Sequence, residues 1–319
     1  MKTINAKNYV SIFLFILMGA GLLFQGCSDS TSAEHDEEDN IDALITEIRT
    51  ATQSYHDIET AREAGWNVMM SPCVEHPQEG GMGYHLGRME FLDGRKNHLE
   101  PQVLLYEPTQ GGGFEFIGVE YIIPFDIHPA NAEPPMILGE HYHQNHQLEI
   151  WALHVWTEKE NPKGMFFDWN PNVSCQFEVD VMINEVRTVT EPYHNIDNAI
   201  ADGWDTFMSP CVEHPELGGM GYHVGRMEFL DGRTNHLEPQ VLLYEPLEDG
   251  SFEFIGVEYI IPFDIHPEDA EPPMILGENY HQNHQLGIWA LHVWTEKENP
   301  SGMFFDWNPS VSCQYANDQ

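Results

Sequence analysis

Residues 114–129 read FEFIGVEYIIPFDIHP, and residues 252–267 repeat the string letter for letter. Aromatic and β-branched side chains crowd it, a composition that favours extended strands. Working outward, residues 71–175 and 209–313 align without a gap at a constant offset of 138 and differ at fourteen of 105 positions. A period this long exceeds that of solenoid repeats and predicts a duplicated domain, each unit near the ordinary single-domain size. So few differences mark a recent copy, and residues shared by the copies carry little evidence of selection.

The helical stretch upstream repeats more loosely, with IDALITEIRTATQSYHDIETAREAGW at 41–66 answered by VDVMINEVRTVTEPYHNIDNAIADGW at 179–204. Ile41, Leu44, Ile45 and Ile48 fall on one helical face, and residues 58–64 predict a second short helix ended by Gly65. Strands are expected over 83–91, 103–107, 114–123 and 150–157, divided by Asp-Gly, Gly-Gly and Pro-Pro breakers. Helices first and strands afterwards predict an α+β fold, in two tandem copies of a domain whose N-terminal helices precede a mostly antiparallel sheet. Trp169-Asn170-Pro171 predicts a turn that returns Cys175 toward Cys73. The expected divisions are a lipoprotein signal peptide at 1–26, an acidic disordered tether at 27–40, and repeat domains at 41–175 and 176–319.

The signal peptide rests on Lys2 and Lys7, the apolar run YVSIFLFILMGAGLLF at 9–24, and the Gln25-Gly26-Cys27 junction. A basic start and a short, glycine-broken apolar run are what export machinery reads. The junction resembles a bacterial lipobox, although Phe24 and Gln25 depart from the usual Leu and small residue. The resemblance implies lipidation at Cys27 and attachment to the cell envelope, at the outer membrane. The polar SDSTSAEHDEEDN that follows buries nothing, which predicts a tether, and an acidic stretch there resembles a signal for transfer to the cell surface.

Thirteen Lys plus Arg against fifty-two Asp plus Glu leave a formal charge of −39. Nucleic acid and anionic headgroups are repelled by such a surface, so the membrane is expected as a partner only through the lipid anchor. Four further cysteines permit three pairings. An ancestral single domain carries one pair, which predicts Cys73–Cys175 and Cys211–Cys313. No C-x2-C spacing points to a thiolate metal site, and an exported chain meets oxidising conditions.

Glu120 lies inside the apolar run FIGVEYII and needs a cation, a donor or a metal beside it, since an unpaired buried carboxylate costs several kcal/mol. His154 in WALHVW and His85 in GGMGYH occupy comparable strand positions. If adjacent strands align them, His85, Glu120 and His154 form the two-His, one-carboxylate set of catalytic zinc and non-haem iron sites, and His223, Glu258 and His292 repeat it. The expected cofactor is a divalent metal: zinc, iron or copper. A buried Glu hydrogen-bonded to a neutral His satisfies the same physics without an ion. A second cluster, GEHYHQNHQLE at 139–149, offers His141, His143, His146 and Glu149 and superficially resembles the cupin His-x-His pattern. The other copy has Asn279 and Gly287, so only His143, His146, His281 and His284 persist; were the stretch helical, each pair would share a face. The alternative reading of this stretch is a polar loop.

MGYH, EPQVLLYEP, FIGVEYIIP, ALHVW, NPKGMFFDWNP and VSC together resemble an uncharacterised family of secreted bacterial proteins, over 55–175 and again to Cys313. That resemblance implies export and the terminal Cys, and no activity. The YE…IGVEYI portion alone is similar to oil-body-associated proteins. The expected function is therefore a lipid-anchored extracytoplasmic protein binding a metal in each repeat, with metal-dependent catalysis left open. The alternative is a non-catalytic binding or adhesion lipoprotein whose His and Glu residues are buried structural pairs.

Overall fold

The computed structural model describes residues 31–316, with side chains from residue 40 onward. The expected signal peptide, Cys27 and residues 27–30 of the expected tether lie outside the described residues. The chain divides into one unit ending at Ala43 and another from Leu44 onward. Helix α1 (Thr31–Thr52) begins ten residues earlier than the tether reading placed it. In its second half Ile45 and Ile48 are buried, as the spacing predicted.

Helix α2 (Ile58–Glu63) is capped by the Asp57 side chain, which accepts from the Glu59 amide. Eight strands follow: β1 (Val68–His76), β2 (Gly80–Gly87), β3 (Val103–Thr109), β4 (Gly113–Pro124), β5 (Met136–Ile137), β6 (Glu140–His141), β7 (His143–Asn145) and β8 (Ile150–Val155). One antiparallel sheet runs β1-β2-β3-β4-β8-β7, and β5 pairs with β6 alone. The remaining chain gives α3 (Glu178–Thr190), α4 (Ile196–Ala201), β9 (Thr206–Phe207), β10 (Val212–His214), β11 (Gly218–Gly225), β12 (Val241–Pro246), β13 (Phe252–Pro262), β14 (Met274–Ile275), β15 (Glu278–Asn279), β16 (His281–Asn283) and β17 (Ile288–Val293). Its sheet runs β10-β11-β12-β13-β17-β16, with β9 beside β11. The fold is α+β, with few helices and mostly antiparallel sheet.

Alternation along β12, β13 and β17 separates two faces. One carries Leu242, Tyr244, Val257, Tyr259, Leu291 and Val293 against Ile183 and Val186 of α3. The other carries Val241, Leu243, Ile260 and Ala290, packed with Trp294 and Val311. Its counterpart in the first sheet holds Val103, Leu105, Ile117, Ile122, Trp156 and Val173, and this face also bears Glu120.

Two backbone devices curl the sheet around that face. Leu105 pairs with Gly118 but Tyr106 pairs with Phe116, which leaves Ile117 as an extra residue in β4. A bulge of this kind bends its strand and raises the local twist. At Gly118 an added Cβ would lie 2.4 Å from the Val155 carbonyl oxygen, so only glycine lets β4 approach the end of β8 this closely. The duplicate positions repeat both features, with Leu243 paired to Gly256 and Tyr244 to Phe254.

Disulfides join Cys73 to Cys175 and Cys211 to Cys313, with Cα atoms 5.7 and 5.8 Å apart. The expected turn delivers Cys175: Asn170 bridges to Gly81 at the start of β2. Carboxylates then pin the returning segment, since Glu107 accepts from the Ser174 amide and Glu75 from the Cys175 amide, both at 2.8 Å.

Candidate metal centre

His85 on β2 and Glu120 on β4 are not on adjacent strands, contrary to the alignment expected for them. Leu105 of β3 pairs with His85, and Val103 of β3 pairs with Glu120. Only His154 lies directly opposite Glu120, on β8. Three strand spacings separate His85 from His154, about 14 Å on a flat sheet. The curl closes that gap, because side chains on a concave face converge.

The result is a buried trio. His85 Nε2 lies 3.4 Å from His154 Nε2 and 3.9 Å from Glu120 Oε2, and His154 Nε2 lies 3.6 Å from Glu120 Oε1. The duplicate trio has His223 and His292 at 3.3 Å, His223 and Glu258 at 3.7 Å, and His292 and Glu258 at 3.6 Å. All six side chains are buried. These separations exceed the 2.7–3.2 Å of ordinary hydrogen bonds. Four of the six match the edges of a tetrahedron around an ion with bonds of about 2.0–2.2 Å, whose ligand atoms stand about 3.3–3.6 Å apart, and the two contacts of Glu120 with His85 and Glu258 with His223 are slightly longer. Three protein donors leave at least one coordination position open.

The far side of each ring is also held. Ser71 Oγ is 2.8 Å from His85 Nδ1, and Asp168 Oδ1 is 3.3 Å from His154 Nδ1. The Asp168 carboxylate only accepts, so it holds the proton on His154 Nδ1 and leaves the Nε2 lone pair facing the centre, the arrangement usual behind metal-bound histidines, while Ser71 holds the orientation of the His85 ring. In the duplicate, Ser209 Oγ is 3.1 Å from His223 Nδ1. Asp306 Oδ1 stands 3.3 Å from His292 Nδ1, off the angle a hydrogen bond needs.

Burial, with His154 adding to it, drives the His85 pKa down to about 3, so its imidazole is neutral. Burial pushes the Glu120 carboxyl up, opposed by His154 and reinforced by Asp168. At His154 burial works against the charged ring, but Glu120 and Asp168 outweigh it and raise its pKa. Without an ion, Glu120 and His154 therefore compete for one proton, whose place a divalent cation would fill if bound.

Asp168 is the site residue that sequence reasoning missed. Besides His154 it contacts His143 Nδ1 at 3.1 Å, and Asp306 contacts His281 Nδ1 at 3.3 Å. Its one signal is a carboxylate set among the aromatics of FFDWN, which recurs unchanged at 304–308. The histidine-rich stretch is not helical: His141 ends β6, His143 starts β7, and a turn carries His146. Extended backbone sends successive side chains to opposite faces and a turn follows it, so His143 and His146 do not share a helical stripe. His143 and His146 line a cleft over the trio, as do His281 and His284 in the duplicate, whereas His141 and Glu149 are exposed and do not line it. The clefts measure about 740 and 710 Å³, within the span of about 300–1,000 Å³ usual for small-molecule sites.

Comparison with family models, curated proteins and solved structures finds no match to this chain.

Proposed function

We propose that the protein is a lipid-anchored, extracytoplasmic metal-binding protein built from two copies of one α+β domain. Each copy holds a divalent transition metal through two imidazoles and one carboxylate, His85, Glu120 and His154 in the first and His223, Glu258 and His292 in the second. The observation that carries this reading is that in each set three buried side chains bring their ligand atoms together, every pair approaching to 3.3–3.9 Å, while making no short hydrogen bonds to one another. Nitrogen and oxygen donors in this number suit zinc or ferrous iron. A position open toward a large cleft is the layout of a catalytic rather than a closed structural site. Elemental analysis of untagged protein, with titration of zinc, iron, copper and manganese, tests it. Two ions per chain are expected; no metal as isolated and no saturable binding leave the buried-pair reading instead.

Export is supported by the two disulfides, which persist in oxidising compartments. Among the described residues no helix is long and apolar enough to cross a membrane. Anchoring is assigned to Cys27 on the strength of the basic start, apolar run and Gly-Cys junction. A fatty-acid analogue fed to cells should label the wild-type chain, and equal labelling of Cys27→Ala would rule the anchor out.

A further inference from the structure

From the charges and lining of the two clefts, we infer that each site takes an uncharged small molecule with an apolar body, whose neutral oxygen or nitrogen donor completes the metal's coordination. The inference rests on the metal reading above and adds the ligand class.

The charge count around the ion comes first. A divalent cation brings +2, the Glu120 carboxylate −1 and the Asp168 carboxylate, one bond further out behind His154, another −1. Neutral imidazoles add nothing, so the loaded centre carries no net charge to attract an anion. Among the described residues that line either cleft there is no lysine or arginine. The imidazoles that do line the clefts already face carboxylates at three of the four positions, His143 on Asp168, His281 on Asp306 and His284 on Glu268, so an anionic ligand would enter a partly buried space with little left to pair it, inside a chain that carries −39 overall.

The walls come second. Met70, Val74, Met82, Ile122, Leu148 and Ile150 supply an apolar lining beside the polar centre. Leu148 is 64% exposed and its duplicate Leu286 is 70% exposed, each held at the rim on a tight turn. A single exposed leucine needs no explanation. Here both rim leucines border a concave apolar space open to the candidate ion, where a ligand's apolar body would cover them. The duplicate lining keeps the same residue types, with Met208, Val212, Met220, Ile260, Leu286 and Ile288.

The test uses the full chain loaded with cobalt(II), whose visible spectrum reports a new donor on the ion. Two probes of one shape are compared, naphthalene-2-carboxamide and 2-naphthoate. A carboxylate is ordinarily the better ligand for a divalent ion, so the expected order reverses intrinsic preference. The carboxamide should bind at least about tenfold more tightly than the naphthoate, since only the anion is left buried and unpaired. The Leu148→Asn/Leu286→Asn variant should bind cobalt as before but weaken the carboxamide about tenfold, through lost apolar contact. Naphthoate binding equal to or tighter than the carboxamide, or a variant with unchanged carboxamide affinity, overturns the inference while the metal reading stands. Failure to bind cobalt at all overturns the metal reading itself.

Discussion

Glu120→Gln should lower the ion count from two per chain to one. The substitution keeps the shape of the side chain and removes the one anionic ligand, so loss at the first site should exceed the 10–100-fold typical of outer-shell changes, more than about 100-fold. The fold should tolerate it, because burial already raises the Glu120 pKa in the ion-free protein and the neutral amide resembles the protonated carboxyl. The second site should retain wild-type affinity, as Glu258 is untouched, so each molecule carries its own control. Isothermal titration with zinc reads both numbers at once. His141→Asn, which copies the duplicate's Asn279, should change nothing, because His141 is exposed and does not line the cleft. Two ions still bound by Glu120→Gln, or a drop caused by His141→Asn, would move the site to the histidine-rich turn. Acid should weaken binding: His154 has its pKa raised and must lose its proton to coordinate, whereas His85 stays neutral down to about pH 3.

Removing the first disulfide, as Cys73→Ser/Cys175→Ser, should cost about 2–5 kcal/mol of unfolding free energy. The bridge spans 102 residues, and closing a loop of that order restricts the unfolded chain by up to about 4.7 kcal/mol in the chain-entropy model. The loss should extend to metal affinity, because Ser71, two residues before Cys73, holds the His85 ring by its Nδ1. Denaturant unfolding with and without reductant measures the first effect. A midpoint unmoved by the substitution would show that the bridge constrains nothing the native contacts do not already hold.

The main strands were legible because β3, β4 and β8 are bounded by turn residues and dense in β-branched and aromatic side chains. The cysteine pairing was legible for a different reason: duplication reduced three connectivities to one. β1 was not legible. It is an edge strand, largely exposed, with register shifts at Met69, Ser71 and Val74 that erase any period of two. His85, Glu120 and His154 do come together as a group, but not on adjacent strands as expected. Pairwise strand logic demands neighbours, and His85 reaches Glu120 only because a bulge and a glycine bend the sheet, features whose spatial effect no local pattern records. Asp168 escaped for the same reason, since it lies in an irregular loop whose contacts to His143 and His154 span 25 and 14 residues.

Helix α3 gives the molecule a property that neither sheet has alone. Its Ile183 and Val186 cover the second sheet, while its first turns serve the first: Glu178 accepts from the Cys73 amide, Asp180 from the Gly111 amide, and Asn184 donates to the Gly112 carbonyl. The segment after Cys175 is therefore no slack connector. Melting the second core removes a cap from the first hairpin and a partner from the bridge-bearing strand, so disorder in one half propagates into the other. Denaturation is then expected to proceed as a single cooperative event rather than as two successive ones.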